Sequence, residues 1–87
     1  GTVVASPNRV PTINTTGHAA LASAGTGDVL AGWLGGLWAQ VPELDSHELA
    51  GLGAAWHGLA AEAMGDSCAP LPASKLVQAM YDLHPAP

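Results

Sequence analysis

A glycine-rich turn, Gly25-Thr26-Gly27, runs without a spacer into Asp28 and then into the apolar pattern Val29-Leu30-Ala31-Gly32. Glycines, having no Cβ, let backbone N–H groups crowd around a ligand. The first N–H groups of a new helix and its positive dipole end favour an anion, phosphate above all. Asp28 falls in the first turn of that helix, where its carboxylate could take a proton from a hydroxyl beside a bound phosphate. The stretch reads as an anion hole plus a base. The same four residues also fit a plain glycine-rich helix start whose acid satisfies the dipole.

The rest of the chain bounds what this turn can serve. Its 87 residues allow one small domain at most. Only 10% of them are charged while 48% are hydrophobic, against about 25% charged in an ordinary domain. Eleven glycines and many alanines imply close helix packing rather than a bulky core. Such a sequence looks cut from the interior of something larger, and a strand-like run starting directly after Gly1 supports that expectation. The net charge of −5, with Arg9 and Lys75 as the two basic residues, argues against nucleic acid. Cys68 is the single cysteine, so no internal disulfide forms, and a reducing cytoplasm is the expected compartment. No apolar run reaches the roughly 20 residues of a membrane span, and no membrane association is expected.

Residues 2–6 (TVVAS) are β-branched and apolar, and predict a strand. Ser6-Pro7-Asn8-Arg9 has turn chemistry, and residues 10–14 (VPTIN) form the return strand of a hairpin. Pro11 cannot donate to a ladder, which puts that strand at an edge. The first long helix is predicted over residues 26–40, with Val29, Leu30, Trp33, Leu34, Leu37 and Trp38 on one stripe. Gly32, Gly35 and Gly36 weaken it, and a close approach by another element is the expected compensation. Pro42 ends it. Asp45 and Glu48 form a D-x-x-E capping arrangement for a second helix, with Leu44 and Leu49 placed as a staple. There Leu49, Leu52, Trp56, Leu59 and Ala63 predict one buried face, and Gly65 a terminator. A third helix is predicted over residues 73–83, with Leu76, Met80 and Leu83 inward.

In order, the pieces GTVVASP, TINTTGHAALASAGTGDVLAGWLGGLWAQ and AAWHGLAAEAMG resemble the C-terminal part of the NAD(P)H-hydrate dehydratase family, a branch of the ribokinase-like superfamily. That family shows a Lys-Gly-x-x-Thr stretch before a strand. A TGN-x-x-(L/M)-A-x-G-G-(S/T)-GDVL-(A/S)-G stretch and a helix with His-Gly-x-A then follow. The resemblance covers nearly all of the chain. It implies a parent α/β domain, a ribokinase-like three-layer α/β/α fold. The chain itself is then a β-hairpin followed by three α-helices, mostly helical, and residues 1–87 form the C-terminal part of a single domain whose N-terminal part lies elsewhere.

Carried over by position, the family's anion hole maps onto Gly25, Thr26 and Gly27, and its substrate-facing catalytic acid onto Asp28. Gly27 takes the place of the glycine that contacts the adenine nucleotide. Gly1 and Thr2 match the end of the nucleotide-binding Lys-Gly-x-x-Thr stretch, whose lysine would lie upstream. His18 stands where TGN has asparagine, and imidazole can still donate and accept; Ala24 stands where the family often has glycine. Asn14, with His18, is a candidate for lining the pocket, and ordinary loop hydrogen bonding explains Asn14, Thr15 and Thr16 equally well.

The activity so implied is removal of the added hydroxyl from hydrated NADH or NADPH, with ADP or ATP as co-substrate. Mg2+ is a companion ion that the residues neither specify nor exclude. Asp28 would accept the hydroxyl proton while the N–H groups of residues 25–28 stabilise the transferring phosphoryl group. His57 matches the family's His-Gly pair and reads first as a helix-packing residue. His47 and His84 have no paired ligands, so no metal site is expected. Trp33, Trp38 and Trp56 read as core. Two other functions stay open: a small-molecule kinase of the same superfamily, acting on a carbohydrate or a hydroxymethylpyrimidine-like alcohol, and a non-catalytic folded unit. The sequence leaves the oligomeric state open, a homo-oligomer included.

Overall fold

The computed structural model describes residues 2–17, 25–64 and 73–83. They form a hairpin of β1 (Thr2–Val4) and β2 (Thr12–Asn14), followed by α1 (Thr26–Gln40), α2 (Ser46–Met64) and α3 (Ala73–Asp82). The strands are antiparallel, pairing Thr2 with Asn14, Val3 with Ile13 and Val4 with Thr12. The ladder is shorter than the sequence predicts. Pro11 has no N–H to give it, and Ser6 O already accepts from Arg9 N (3.3 Å) to close a turn. Pro7 at the second position and Asn8 at the third, with φ 62°, give the positive φ of a type II turn. Val4 faces inward and is 7% exposed, whereas Val3 and Ile13 face out.

The helix boundaries follow from local chemistry. Gly25, at φ 87°, caps α1, and Val29 N→Gly25 O (3.1 Å) is the first helical hydrogen bond. At the other end Val41 N bonds Leu37 O (2.9 Å) and Pro42 follows. Asp45 caps α2 as predicted, its Oδ2 accepting from Glu48 N (3.1 Å). The Arg9 side chain pairs with the same carboxylate. That guanidinium, and after it the Glu48 N–H, hold the Asp45 carboxyl below its ordinary value.

The core lies where α2 meets α3. Ala60, Ala61, Leu76 and Met80 are buried there, with Val29, Trp33, Trp56, Met64 and Ala79 packed around them. Trp33 and Trp56 meet edge to face, ring centroids 5.0 Å apart at 77°, the geometry that aromatic quadrupoles favour. Trp56 Nε1 donates to Met80 O (2.7 Å), a carbonyl in the last turn of α3, where helices run out of internal donors. Trp33 Nε1 is buried with no partner among the described residues.

Three packing expectations are corrected. The buried face of α2 is not the Leu52–Leu59–Ala63 stripe: Leu52 and Leu59 are 52% and 47% exposed. His47, Leu49, Gly53, Ala54, His57, Gly58, Ala60 and Ala61 are buried instead. Small residues win because neighbours approach this face closely. A Cβ on Gly53 would run into the Leu34 side chain, and one on Gly58 would come within 2.7 Å of the Thr16 backbone. Conversely, Gly32, Gly35 and Gly36 have nothing within 4 Å of a Cβ position among the described residues. Leu83 points outward, 42% exposed, since it follows the last residue of α3. The expected terminator Gly65, and the residues Cys68 and His84, lie outside the described residues.

Candidate functional site

The turn singled out in the sequence is built from three directions. Gly25 supplies the left-handed backbone that lets the chain enter α1. Below it stands the first residue of α3, Ala73, whose Cβ would lie 3.2 Å from a Cβ on Gly25. Thr26 is 5% exposed, and its carbonyl oxygen lies 2.9 Å from Nε2 of buried His57 on α2. A carbonyl can only accept, so His57 carries its proton at Nε2. Because the helical ladder starts at Val29, Gly27 and Asp28 direct their N–H groups away from it, out of the helix start.

Gly27 is exposed, and among the described residues nothing lies within 4 Å of where its Cβ would be. Packing therefore does not ask for glycine here, and a glycine in a helix is worth up to about 1 kcal/mol less than alanine. A bare backbone with no described residue over it suits a bulky anion drawn close. Asp28, next in the chain, is exposed and lines a groove of ≈490 Å³ together with Gly32, Trp33, Gly36, Trp56 and Tyr81. The structure thus sets an exposed carboxylate beside an N–H-rich helix start, over a groove with aromatic walls.

A second set of contacts ties the hairpin to the same helix. Asn14 Nδ2 donates to Ala54 O (3.3 Å) and Thr16 O (3.4 Å). The Thr16 hydroxyl lies 3.0 Å from Asn14 Oδ1 and 3.3 Å from Ala55 O, and donates to one of them at a time. Gly17 N bonds Glu62 Oε1 (2.9 Å). The Asn14 side chain is therefore engaged in fastening the end of β2 onto α2. Thr2, half-buried, opens β1 opposite Asn14. Gly1 and His18 lie outside the described residues.

Sequence reasoning found no paired ligand for His47 and read His57 first as a packing residue. His47 joins Ser6 Oγ through Nδ1 (2.7 Å) and Thr12 Oγ1 through Nε2 (3.0 Å), locking the hairpin to the start of α2. Both histidines act through residues more than 30 positions away, so no local pattern pointed to these bonds. Among the described residues there is no cluster of three His, Cys, Asp or Glu side chains able to hold a metal ion. Nor is any described helix long and apolar enough to cross a membrane.

Comparison with known proteins bears on what this turn serves. The chain is 48% identical over 67 residues to an ADP-dependent (S)-NAD(P)H-hydrate dehydratase of Neisseria meningitidis, a match covering 76% of this chain and 22% of that protein. It is 52% identical over 62 residues to a bifunctional NAD(P)H-hydrate repair enzyme of Gloeobacter violaceus, covering 70% of this chain and 12% of that protein. The chain thus spans about a fifth or less of the length of these relatives. No solved structure matches it significantly. The family model for NAD(P)H-hydrate dehydratases matches residues 1–81, a span that takes in the hairpin, the glycine turn and nearly all of the three helices. By that match the chain belongs to the NAD(P)H-hydrate dehydratase family.

Proposed function

We propose that this chain forms part of the catalytic domain of an ADP-dependent dehydratase that repairs hydrated NADH or NADPH, and that residues 25–28 are its phosphoryl-transfer site. One observation carries the reading: an open glycine, Gly27, and an exposed carboxylate, Asp28, adjoin on the first turn of α1. Hydroxide is a poor leaving group, so the added hydroxyl must first be converted. Its oxygen attacks the terminal phosphorus of ADP as Asp28 takes the hydroxyl proton, and the bond to the bridging oxygen breaks to release AMP. The ring C–O bond of the resulting phosphate ester then breaks, inorganic phosphate departs with loss of the adjacent ring proton, and the dihydropyridine is restored. During transfer the N–H groups of Gly27 and Asp28 face the phosphoryl oxygens, where charge builds up. The name of the Neisseria relative supports ADP as the nucleotide; a Mg2+ ion would ride on its phosphates. We place this activity in the cytoplasm.

A small-molecule kinase of the same superfamily would use the same turn and let its product keep the phosphate. A coupled assay on the full-length protein separates the two. Incubated with NADH hydrate and ADP, a dehydratase returns one absorbing NADH and one phosphate per ADP consumed. A stable phosphomonoester accumulating in place of NADH would establish the kinase reading instead.

A further inference from the structure

Gly25 and Gly27 flank Thr26, so the backbone of the anion hole has unusual freedom on both sides. A contact from outside the turn adds to the hold that the α1 ladder has on it. We propose that His57 is the positioning residue of this hole, bracing the Thr26–Gly27 peptide unit so that the Gly27 N–H points at the bound phosphoryl group. The inference rests on reading residues 25–28 as the phosphate cradle.

A trans peptide is flat, and its carbonyl and N–H point in opposite directions. Holding the Thr26 oxygen therefore aims the Gly27 hydrogen. The hold is a hydrogen bond of 2.9 Å from His57 Nε2, and with His57 7% exposed and Thr26 5% exposed, water is poorly placed to replace it. A bond donated to a carbonyl also draws charge through the peptide and makes the N–H at its far end a better donor, as in any hydrogen-bonded chain. On the other side of Gly27, no described residue comes within 4 Å of its Cβ position. His57 sits in mid-α2 with Gly58 after it, where the Thr16 backbone presses so closely that only glycine fits. Neighbouring positions of α2 thus meet the fastened hairpin end, at Gly58, and the glycine turn, at His57.

The test compares His57→Gln, which keeps a donor at similar reach, with His57→Met, which fills the space without one, in the full-length protein. Deleting one donor from an oxyanion site costs about 10²–10³ in kcat. Loosening one without deleting it should cost less. The expected result is a Gln variant within about fivefold of the parent and a Met variant at least about tenfold lower in kcat, with KM for the hydrate unchanged. The ADP-induced shift of the Gly27 amide resonance should persist in the Gln variant and shrink by about half or more in the Met variant. Equal kcat for the two variants, or an undiminished Gly27 response in the Met variant, overturns the role of His57 and leaves the cradle intact. A Gly27 amide indifferent to ADP in the parent protein overturns the cradle, and the brace with it.

Discussion

His47 and His57 are both buried on α2, but they hold different kinds of partner. His47 sits between the hydroxyls of Ser6 and Thr12. A hydroxyl donates or accepts as required, so either neutral tautomer of His47 satisfies the pair. His57 faces a backbone carbonyl, Thr26 O, which admits only an Nε2–H. The first contact tolerates rearrangement and fastens a hairpin, which alone would be marginal in water. The second demands one arrangement, and its far end is the helix start where the candidate chemistry lies. The lesson is that burial and hydrogen bonding alike do not equate two residues. The nature of the partner decides whether a bond holds structure or aims a functional group.

This contrast predicts graded effects, all to be measured on the full-length protein. The largest is for Gly58→Ala, since the new Cβ meets the Thr16 backbone carbonyl at 2.7 Å as well as the Thr16 hydroxyl, and the backbone cannot turn aside. Overpacking of this kind costs about 1–3 kcal/mol, seen as a lower urea midpoint, and it should lower turnover as well by displacing the neighbouring His57. A smaller effect follows for His47→Leu, which gives up the Ser6 and Thr12 bonds at a cost of about 1 kcal/mol and leaves kcat unchanged. Loss of turnover in that variant would erase the distinction between the two histidines. Gly53→Ala should fall within about 0.5 kcal/mol of the parent, because the obstructing Leu34 side chain can turn aside and alanine gains helix propensity.

The smallest effect concerns acid. The Asp45 carboxyl, held below its ordinary value of 3.8 first by Arg9 and then by the Glu48 N–H, stabilises the fold fully at pH above that value. This contribution disappears as pH falls through the lowered folded-state value. Asp45→Asn should therefore flatten the acid limb of a stability–pH curve slightly and leave neutral turnover alone. An unchanged acid limb would remove Asp45 from the account of acid sensitivity.

Much of the local structure was legible. The start of α1 is written in Gly25 and its end in Pro42, and Asp45 marks the start of α2 by offering its carboxylate to Glu48 N. The inward face of α2 was not legible from hydrophobic periodicity. That pattern weighs side-chain size, whereas the contacts with Leu34 and Thr16 select Gly53 and Gly58 for having none. Leu52, Leu59 and Ala63 instead line an open groove of ≈710 Å³ with Leu83. The turn and its acid could be found in the sequence because their chemistry is contiguous. The partner of His57 could not, because 31 residues separate it from Thr26 and only the docking of α2 against α1 brings them together.

The central claim is that Asp28 is a base beside a phosphate cradle, and Asp28→Asn in the full-length protein tests it most directly. The amide nearly matches the carboxylate in shape but cannot accept the hydroxyl proton. NADH recovery from its hydrate should fall by about 10²–10⁴, while ADP binding measured calorimetrically stays within about threefold of the parent. Turnover retained by the asparagine variant would contradict the account.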